Sequence, residues 1–204
     1  MGSFLIGVLL FLGIVVLVVL ILGSMGVGIY NQLVALRNDF KNQFAQIDVQ
    51  LKRRHDLIPN LVETAKGYMA HERGTLDEVT AARNGAMAAR QQAAADPTDP
   101  NAVQKVVAAE GVLTQSLGRL FAVAEAYPNL KANETMLQLQ NELTATENNI
   151  SQARQSYNES VRVYNTQREI FPNSILAGMF NFAPASLYEI AEAGDREVPK
   201  VSFA

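Results

Sequence analysis

From Phe4 to Leu22 every residue is apolar or glycine, "FLIGVLLFLGIVVLVVLIL", and no charged side chain occurs before Arg37. A run of that length satisfies one helical crossing of a bilayer, where all backbone polar groups must be paired within the segment. A cleaved leader would start with basic residues and carry a shorter apolar core. Here the start is "MGS", without Lys or Arg, so a retained anchor is expected. The same start lacks the Ser or Thr that a myristoylation signal requires. Arg37 and Lys41 follow the span and no basic side chain precedes it, which by the positive-inside rule leans the following domain toward the cytoplasm.

The remaining residues read as helices. After "GSMGVG" (23–28), an expected flexible or kinked exit, Ile29, Leu33, Leu36, Phe40, Phe44, Ile47 and Leu51 form one apolar stripe. A second helix is expected from about Leu57 to Ala95, with Ile58, Val62, Ala65, Met69, Leu76 and Val79 in its stripe and an alanine-rich final third. "DPTDPN" (96–101) is a break. A third helix starts at Asp99 or Pro100 and carries Val103, Val106, Leu113, Leu117, Leu120 and Ala124. A fourth runs from near Asn133 to about Ile170 with Met136, Leu139, Leu143, Ile150, Tyr157, Val161 and Tyr164. No useful length shows β-type alternation. The predicted fold class is all-α: a single N-terminal transmembrane helix, then an antiparallel up-and-down four-helix bundle, since short connections make neighbours antiparallel. The organisation is anchor and glycine-rich exit 1–28, bundle 29–171 and tail 172–204, the tail including a short helix candidate at "ASLYEIAEAG". In this reading the second and fourth helices overhang the others. Either the anchor helix extends upward through the glycines or the overhangs pack on another copy.

Two stretches are candidate interaction sites. "LKRRHDLIPNLV" (51–62) crowds basic residues before a proline. Its plainest reading is a charged last turn of the first helix, Asp56 capping the second, and Pro59 in the new first turn, where a missing N–H is harmless. A patch at Arg53, Arg54 and Asp56 that meets a neighbouring subunit or an acidic partner is a second reading, and a continuous Pro-kinked helix is a third. The tail stretch "FPNSILAGMFNF" holds Ile175, Leu176, Met179, Phe180 and Phe182. These apolar side chains either close the base of the bundle, enter the bilayer interface, or bury against another subunit.

Catalytic patterns are absent from the sequence. There is no cysteine, and "HE" at 71–72 has no second histidine at zinc-helix spacing. No Glu has a His three residues later, as di-metal carboxylate bundles require. Glu72 and Glu110 fall on apolar seams; they are expected to reach solvent as the stripes drift, with Arg83 or Arg119 as partners if buried. The sequons at Asn133, Asn149 and Asn158 lie within or at the start of the fourth helix and are read as chance. The net charge of −3 argues against general nucleic-acid binding. No cofactor and no metal site is expected.

From "YNQLVALRNDFKNQFAQIDVQLKRRHDLIPNLVETAKGYMAHE" through "FPNSILAGMFNF" to "REVPKVSF", the chain resembles the LemA family. That resemblance implies an antiparallel four-helix bundle on one membrane anchor in a bacterial-type envelope, and it brings no catalytic residues. Some members of the family carry a lipoprotein anchor, which implies a bundle outside the cytoplasm, opposite to the charge count. A magnetosome-associated member implies, by analogy, a membrane-organising role. The expected function is therefore a non-enzymatic, self-associating scaffold at the inner membrane, with the bilayer and further copies of the chain as partners. The alternative is an adaptor that presents Arg53 and Arg54 to another envelope protein, such as a membrane protease.

Overall fold

A computed structural model describes residues 2–69 and 71–189. The described residues are all-helical, apart from turns and one extended segment, in the order α1 (Gly2–Lys66), α2 (Arg73–Ala95), α3 (Pro100–Ala124), α4 (Pro128–Lys131), α5 (Glu134–Glu169) and α6 (Asn173–Met179). The first helix has 65 residues, about 97 Å at about 1.5 Å per residue. Its apolar N-terminal part is long and apolar enough to cross a membrane. There the side chains from Leu9 to Leu22 are all exposed, whereas Leu33, Phe40, Phe44, Ile47 and Leu51 are buried. Helix α3 is also long and apolar, but its stripe of Val103, Val106, Leu113, Leu117 and Leu120 is spent in the core.

Three expectations about α1 need correction. Residues 23–28 are not a flexible exit but continue the helix, the alternative in which the anchor helix extends upward through the glycines. The helix does not end near His55, and Asp56 caps nothing: α1 runs through Pro59 to Lys66. The turn falls instead at 67–72, "GYMAHE", after which α2 begins at Arg73. The stripe explains the continuity. Ile47, Leu51, Arg54, Ile58, Leu61 and Ala65 are all buried, at steps of four, three, four, three and four residues. The seam passes through the supposed turn without losing phase.

Proline in a helix interior removes the N–H that would bond the carbonyl four residues back. For Pro59 that carbonyl belongs to His55. Its oxygen is not left empty: the Nε–H of Arg83, on α2, donates to it at 2.7 Å. A side chain from the next helix thus replaces the missing backbone donor, and the same bond pins α2 to α1. α1 is longer and α2 shorter than expected, so α2 and α3 match in length, while α5, at 36 residues, outruns both and lies along α1.

The pairings between helices follow a simple order. Along α1, Gln32 meets Gln167, Phe40 meets Tyr164, Phe44 meets Tyr157, and Arg54 meets Glu147. Residue numbers fall on α5 as they rise on α1. Asp48 and Arg90 join α1 to α2 at 2.7 Å, and Glu78 and Arg119 join α2 to α3 at 2.6 Å. The core has two contiguous clusters. One centres on Phe40, Phe44, Tyr157 and Tyr164. The other, toward the end of α1, centres on Ile58, Leu61, Leu113 and Met136.

The caps match the chain's local chemistry. Asp99 accepts from the Asn101 backbone N–H at 2.9 Å, with Pro100 as the first residue of α3. Asn133 accepts from the Met136 N–H at 3.0 Å at the start of α5. That contact gives one of the three sequon asparagines a structural role.

The Arg83 bond makes a specific prediction. Arg83→Met should lower stability by about 1–3 kcal/mol, the range for leaving a buried acceptor without a partner. In a Pro59→Ala background the backbone N–H returns, so the same substitution should lose most of its effect. Urea denaturation of the four variants, followed by circular dichroism, measures the coupling; equal losses in both backgrounds would show that Arg83 acts elsewhere.

Candidate functional site

Two regions gather the residues singled out in the sequence. The first is a charged cluster midway along the packed helices. Arg54 and His55, successive residues of α1, are 5% and 1% exposed, and Glu110 on α3 is 6% exposed. Glu110 divides its carboxylate between them. One oxygen lies 2.7 Å from His55 Nε2 and the other 3.4 Å from an Arg54 guanidinium nitrogen. Arg54 also donates to Thr114 Oγ1 at 2.7 Å and reaches the half-exposed Glu147 at 3.1 Å. One guanidinium therefore ties α1, α3 and α5 together. His55 Nδ1 is buried with no hydrogen-bond partner.

This arrangement corrects two expectations. Glu110 does not drift to solvent, and its partners are Arg54 and His55. Of the residues named as partners for a seam carboxylate, Arg83 holds the His55 carbonyl and Arg119 pairs with Glu78. Nor do Arg53, Arg54 and Asp56 form a patch at the end of a helix. Arg53 and Asp56 are exposed, Arg54 is buried, and α1 continues for more than two turns beyond them. Glu72 is partly exposed and accepts from the Tyr127 hydroxyl at 3.1 Å. His71 is exposed and separate from the cluster. Among the described residues no group of His, Asp and Glu is placed to hold a metal ion. The cluster's chemistry is that of an enclosed ion pair, with its charges held against one another, which fixes which faces meet.

The second region is the foot of the molecule. Helix α6 returns beside the apolar part of α1: Leu176 is half-buried and its Cδ1 lies 4.0 Å from the place a Cβ on Gly26 would occupy. Phe180 and Phe182 both meet the edge of the Tyr30 ring, at 4.9 Å and 5.6 Å between centroids. Phe182 is buried, with the Arg37 guanidinium 5.0 Å over its ring. Ile175, Met179 and Phe180 are exposed, and so are Ile170 and Phe171, which the sequence reading had not included. The foot therefore divides: Leu176 and Phe182 help close the base, and the others face outward.

The chain does not continue past α6 as a helix. Asn181 takes a left-handed φ of 54°, tolerable for asparagine, and the Phe182 N–H returns to the Ala177 carbonyl at 2.9 Å to finish α6. The described part of the expected helix "ASLYEIAEAG", residues 185–189, is extended; the rest, with the closing "REVPKVSF", lies outside the described residues. This strap lies along α5 on a ladder of side chains. Asn165 gives and takes one bond each with the Ala185 backbone, at 2.9 Å and 3.0 Å. Asn158 does the same with Tyr188, at 3.3 Å and 2.8 Å. The Tyr164 and Tyr157 hydroxyls donate to the Ala183 and Ser186 carbonyls, both at 2.8 Å.

The spacing has a geometric cause. Seven residues of helix rise about 10.5 Å and three residues of extended chain cover about 10 Å, so a Tyr-Asn pair repeated every seven residues meets every third residue of the strap. Burial pushes the Tyr157 and Tyr164 phenols up, so they stay protonated and able to donate. The Arg168 Nε–H donates to the Phe182 carbonyl at 2.9 Å at the lower end. Asn158, read as a chance sequon, is thus a rung of the ladder. The recurring "YN" at 157–158 and 164–165 was its visible signal.

Glu110→Leu alone should destabilise the protein by about 3–5 kcal/mol, because Arg54 loses its buried counter-charge and His55 Nε2 its hydrogen-bond partner. Replacing all three, Arg54→Met with His55→Leu and Glu110→Leu, should restore most of that loss in thermal denaturation. A triple variant as unstable as the single one would mean that the charges themselves hold the helices together. At the strap, Asn165→Leu should strip hydrogen-exchange protection from the Ala185 amide first, and Asn158→Leu from the Tyr188 amide. Uniform loss in both variants would argue against separate rungs.

Comparison with known proteins places the chain in a family. Residues 43–203 match the model of the LemA family. Magnetosome protein MamQ 2 of Paramagnetospirillum magneticum is 24% identical over 184 residues, covering 83% of this chain and 68% of that protein. Magnetosome protein MamQ of Magnetospirillum gryphiswaldense is similar to the same extent, 24% over 184 residues with 83% and 68% covered. Protein LemA of Metamycoplasma hominis is 24% identical over 166 residues, covering 81% of this chain and 71% of its own length. The family match takes in the charged cluster, α6 and the strap, and the chain belongs to the LemA family.

Proposed function

We propose that the chain is a membrane-anchored, non-enzymatic scaffold that self-associates in a bacterial envelope, its four long helices running antiparallel as one up-and-down bundle above a single-span anchor. The observation that carries this reading is the continuity of α1. One helix is exposed and apolar from Leu9 to Leu22, then buried along its seam from Leu33 to Ala65. No side chain of the described structure covers the apolar part, so its partners are lipid and other helices of the same kind. A rigid joint to the anchor lets a lateral contact between spans set the spacing of the bundles above them. Within lipid, such contacts come from packing and from small residues that permit close approach. Gly7, Gly13, Gly23 and Gly28 have nothing within 4 Å of where a Cβ would stand.

The reading of a scaffold rather than an enzyme rests on the enclosure of the charged cluster. His55 at 1% exposure has no surface with which to meet a substrate. The relatives named as magnetosome proteins are, by analogy, compatible with a protein that organises membranes. The adaptor alternative loses one of its two arginines, since Arg54 is held inside by Glu110, Thr114 and Glu147.

The test is the mass of the full-length protein in a mild detergent, beside a chain beginning at Ile29. A large, uniform particle that becomes a monomer without the anchor is the expected result. Monomers in both cases would remove self-association from the account.

A further inference from the structure

The outward side of the foot has no partner in the chain. Ile170, Phe171, Ile175, Met179 and Phe180 are 43%, 80%, 55%, 69% and 53% exposed. They are not scattered: α6 and the turn before it bring them together, and no charged residue occurs from Ile170 to Tyr188. Solvated loops and helix ends do not ordinarily hold so many large apolar groups together without a covering surface.

Their place in the fold identifies that surface. Leu176 lies against Gly26 and Phe180 against Tyr30, immediately above the apolar run of α1. Ile21, Leu22 and Met25, just below, are exposed as well. The apolar surface of the span therefore passes without interruption into that of the foot. Phe171, Phe180 and Phe182 gather at this level beside Tyr30, and phenylalanine with aliphatic groups is what segments lying in the membrane interface bury. The first cations above it, Arg37 and Arg168, are drawn to Phe182, one over its ring and the other on its carbonyl. The strap and the Phe182 return bond hold α6 in place, so its outer side chains are displayed by a rigid base rather than a loose loop.

We infer that this foot is a second membrane contact: Ile170, Phe171, Ile175, Met179 and Phe180 insert into the interfacial layer of the bilayer that α1 crosses. The inference rests on the anchor assigned to α1 above. A lone span would leave the bundle free to tilt about its axis. With the foot inserted on one side of α1, the bundle takes a fixed tilt and rotation relative to the membrane plane. The interfacial layer accepts such groups to a depth of about 5–10 Å.

The chain contains no tryptophan, so a single introduced one reports its own surroundings. The full-length variants Phe171→Trp, Met179→Trp, Leu12→Trp and Val112→Trp are reconstituted in phosphatidylethanolamine–phosphatidylglycerol vesicles, with and without bromine on the acyl chains. Leu12 marks the span; Val112, exposed on α3, marks the bundle. Bromine should quench the tryptophans at 171 and 179 several-fold more than the one at 112. Red, unquenched emission at both foot positions would place the foot in water and overturn the inference. Blue but unquenched emission would show that protein, such as a second copy, covers it, and would overturn it too. If the tryptophan at 12 also escapes quenching, the anchor assignment falls with the inference; if only 171 and 179 escape, the foot alone fails. The two foot positions are independent, and retention of helical circular dichroism identifies a variant that has kept its fold.

Discussion

Everything above the apolar run hangs on one helix that ought to break and does not. Pro59 takes away the donor for the His55 carbonyl, and the Arg83 Nε–H supplies another from α2. Without that bond a buried acceptor in the middle of α1 would favour a kink or water entry. With it, the seam from Leu33 to Ala65 stays in phase, and α2 is fixed in height against α1. The next residues reinforce the same level. His55 and Arg54 meet Glu110, and Arg54 also meets Thr114 and Glu147. Proline, histidine and arginine at 54–59 are therefore parts of one device that sets the register of four helices.

Apolar packing alone specifies such a register poorly. A stripe of leucine and alanine can slide by a turn with little change in buried area, whereas a carboxylate shared between a buried guanidinium and a buried imidazole has one position. Removing one partner leaves a desolvated charge and is costly, even where the pair as a whole adds little net stability. At the other end of α5 the ladder of Tyr157, Asn158, Tyr164 and Asn165 does similar work on the strap. Its rungs match in height because of the ratio between helical and extended rise.

The sequence made the elements legible and their joints less so. Apolar stripes at steps of three and four located α3 and α5 to within a residue or two, with Asp99 and Asn133 as their caps. The apolar N-terminal helix was plain because nothing charged interrupts it. The turn at Asp56 was misplaced because a proline and a cluster of charges usually mark an end. The contrary sign was present in the seven residues separating Leu51 from Ile58, which keep the two stripes in one phase. Glu110 could be seen to lie on a seam, but its partners are distant in the chain and only the packed structure brings them to it. The tail stretch 185–194, "ASLYEIAEAG", held enough alanine, glutamate and leucine to look helical. The extended form of its described residues, 185–189, is imposed by side chains of α5, and local propensity cannot report it.

Function follows from how rigidly these parts are joined. If α1 is one rod from bilayer to the far end of the packed helices, contacts among anchors and the pose of the foot are transmitted to the whole domain. The most direct measurement is the distance between spin labels at Val27→Cys and Glu63→Cys in the otherwise cysteine-free chain, diluted with unlabelled protein in nanodiscs. An unbroken helix predicts a single narrow distribution centred at about 54 Å, from 36 residues at about 1.5 Å each. A broad distribution, or one centred well below that value, would mean a joint at the glycines or at Pro59 and would contradict the account.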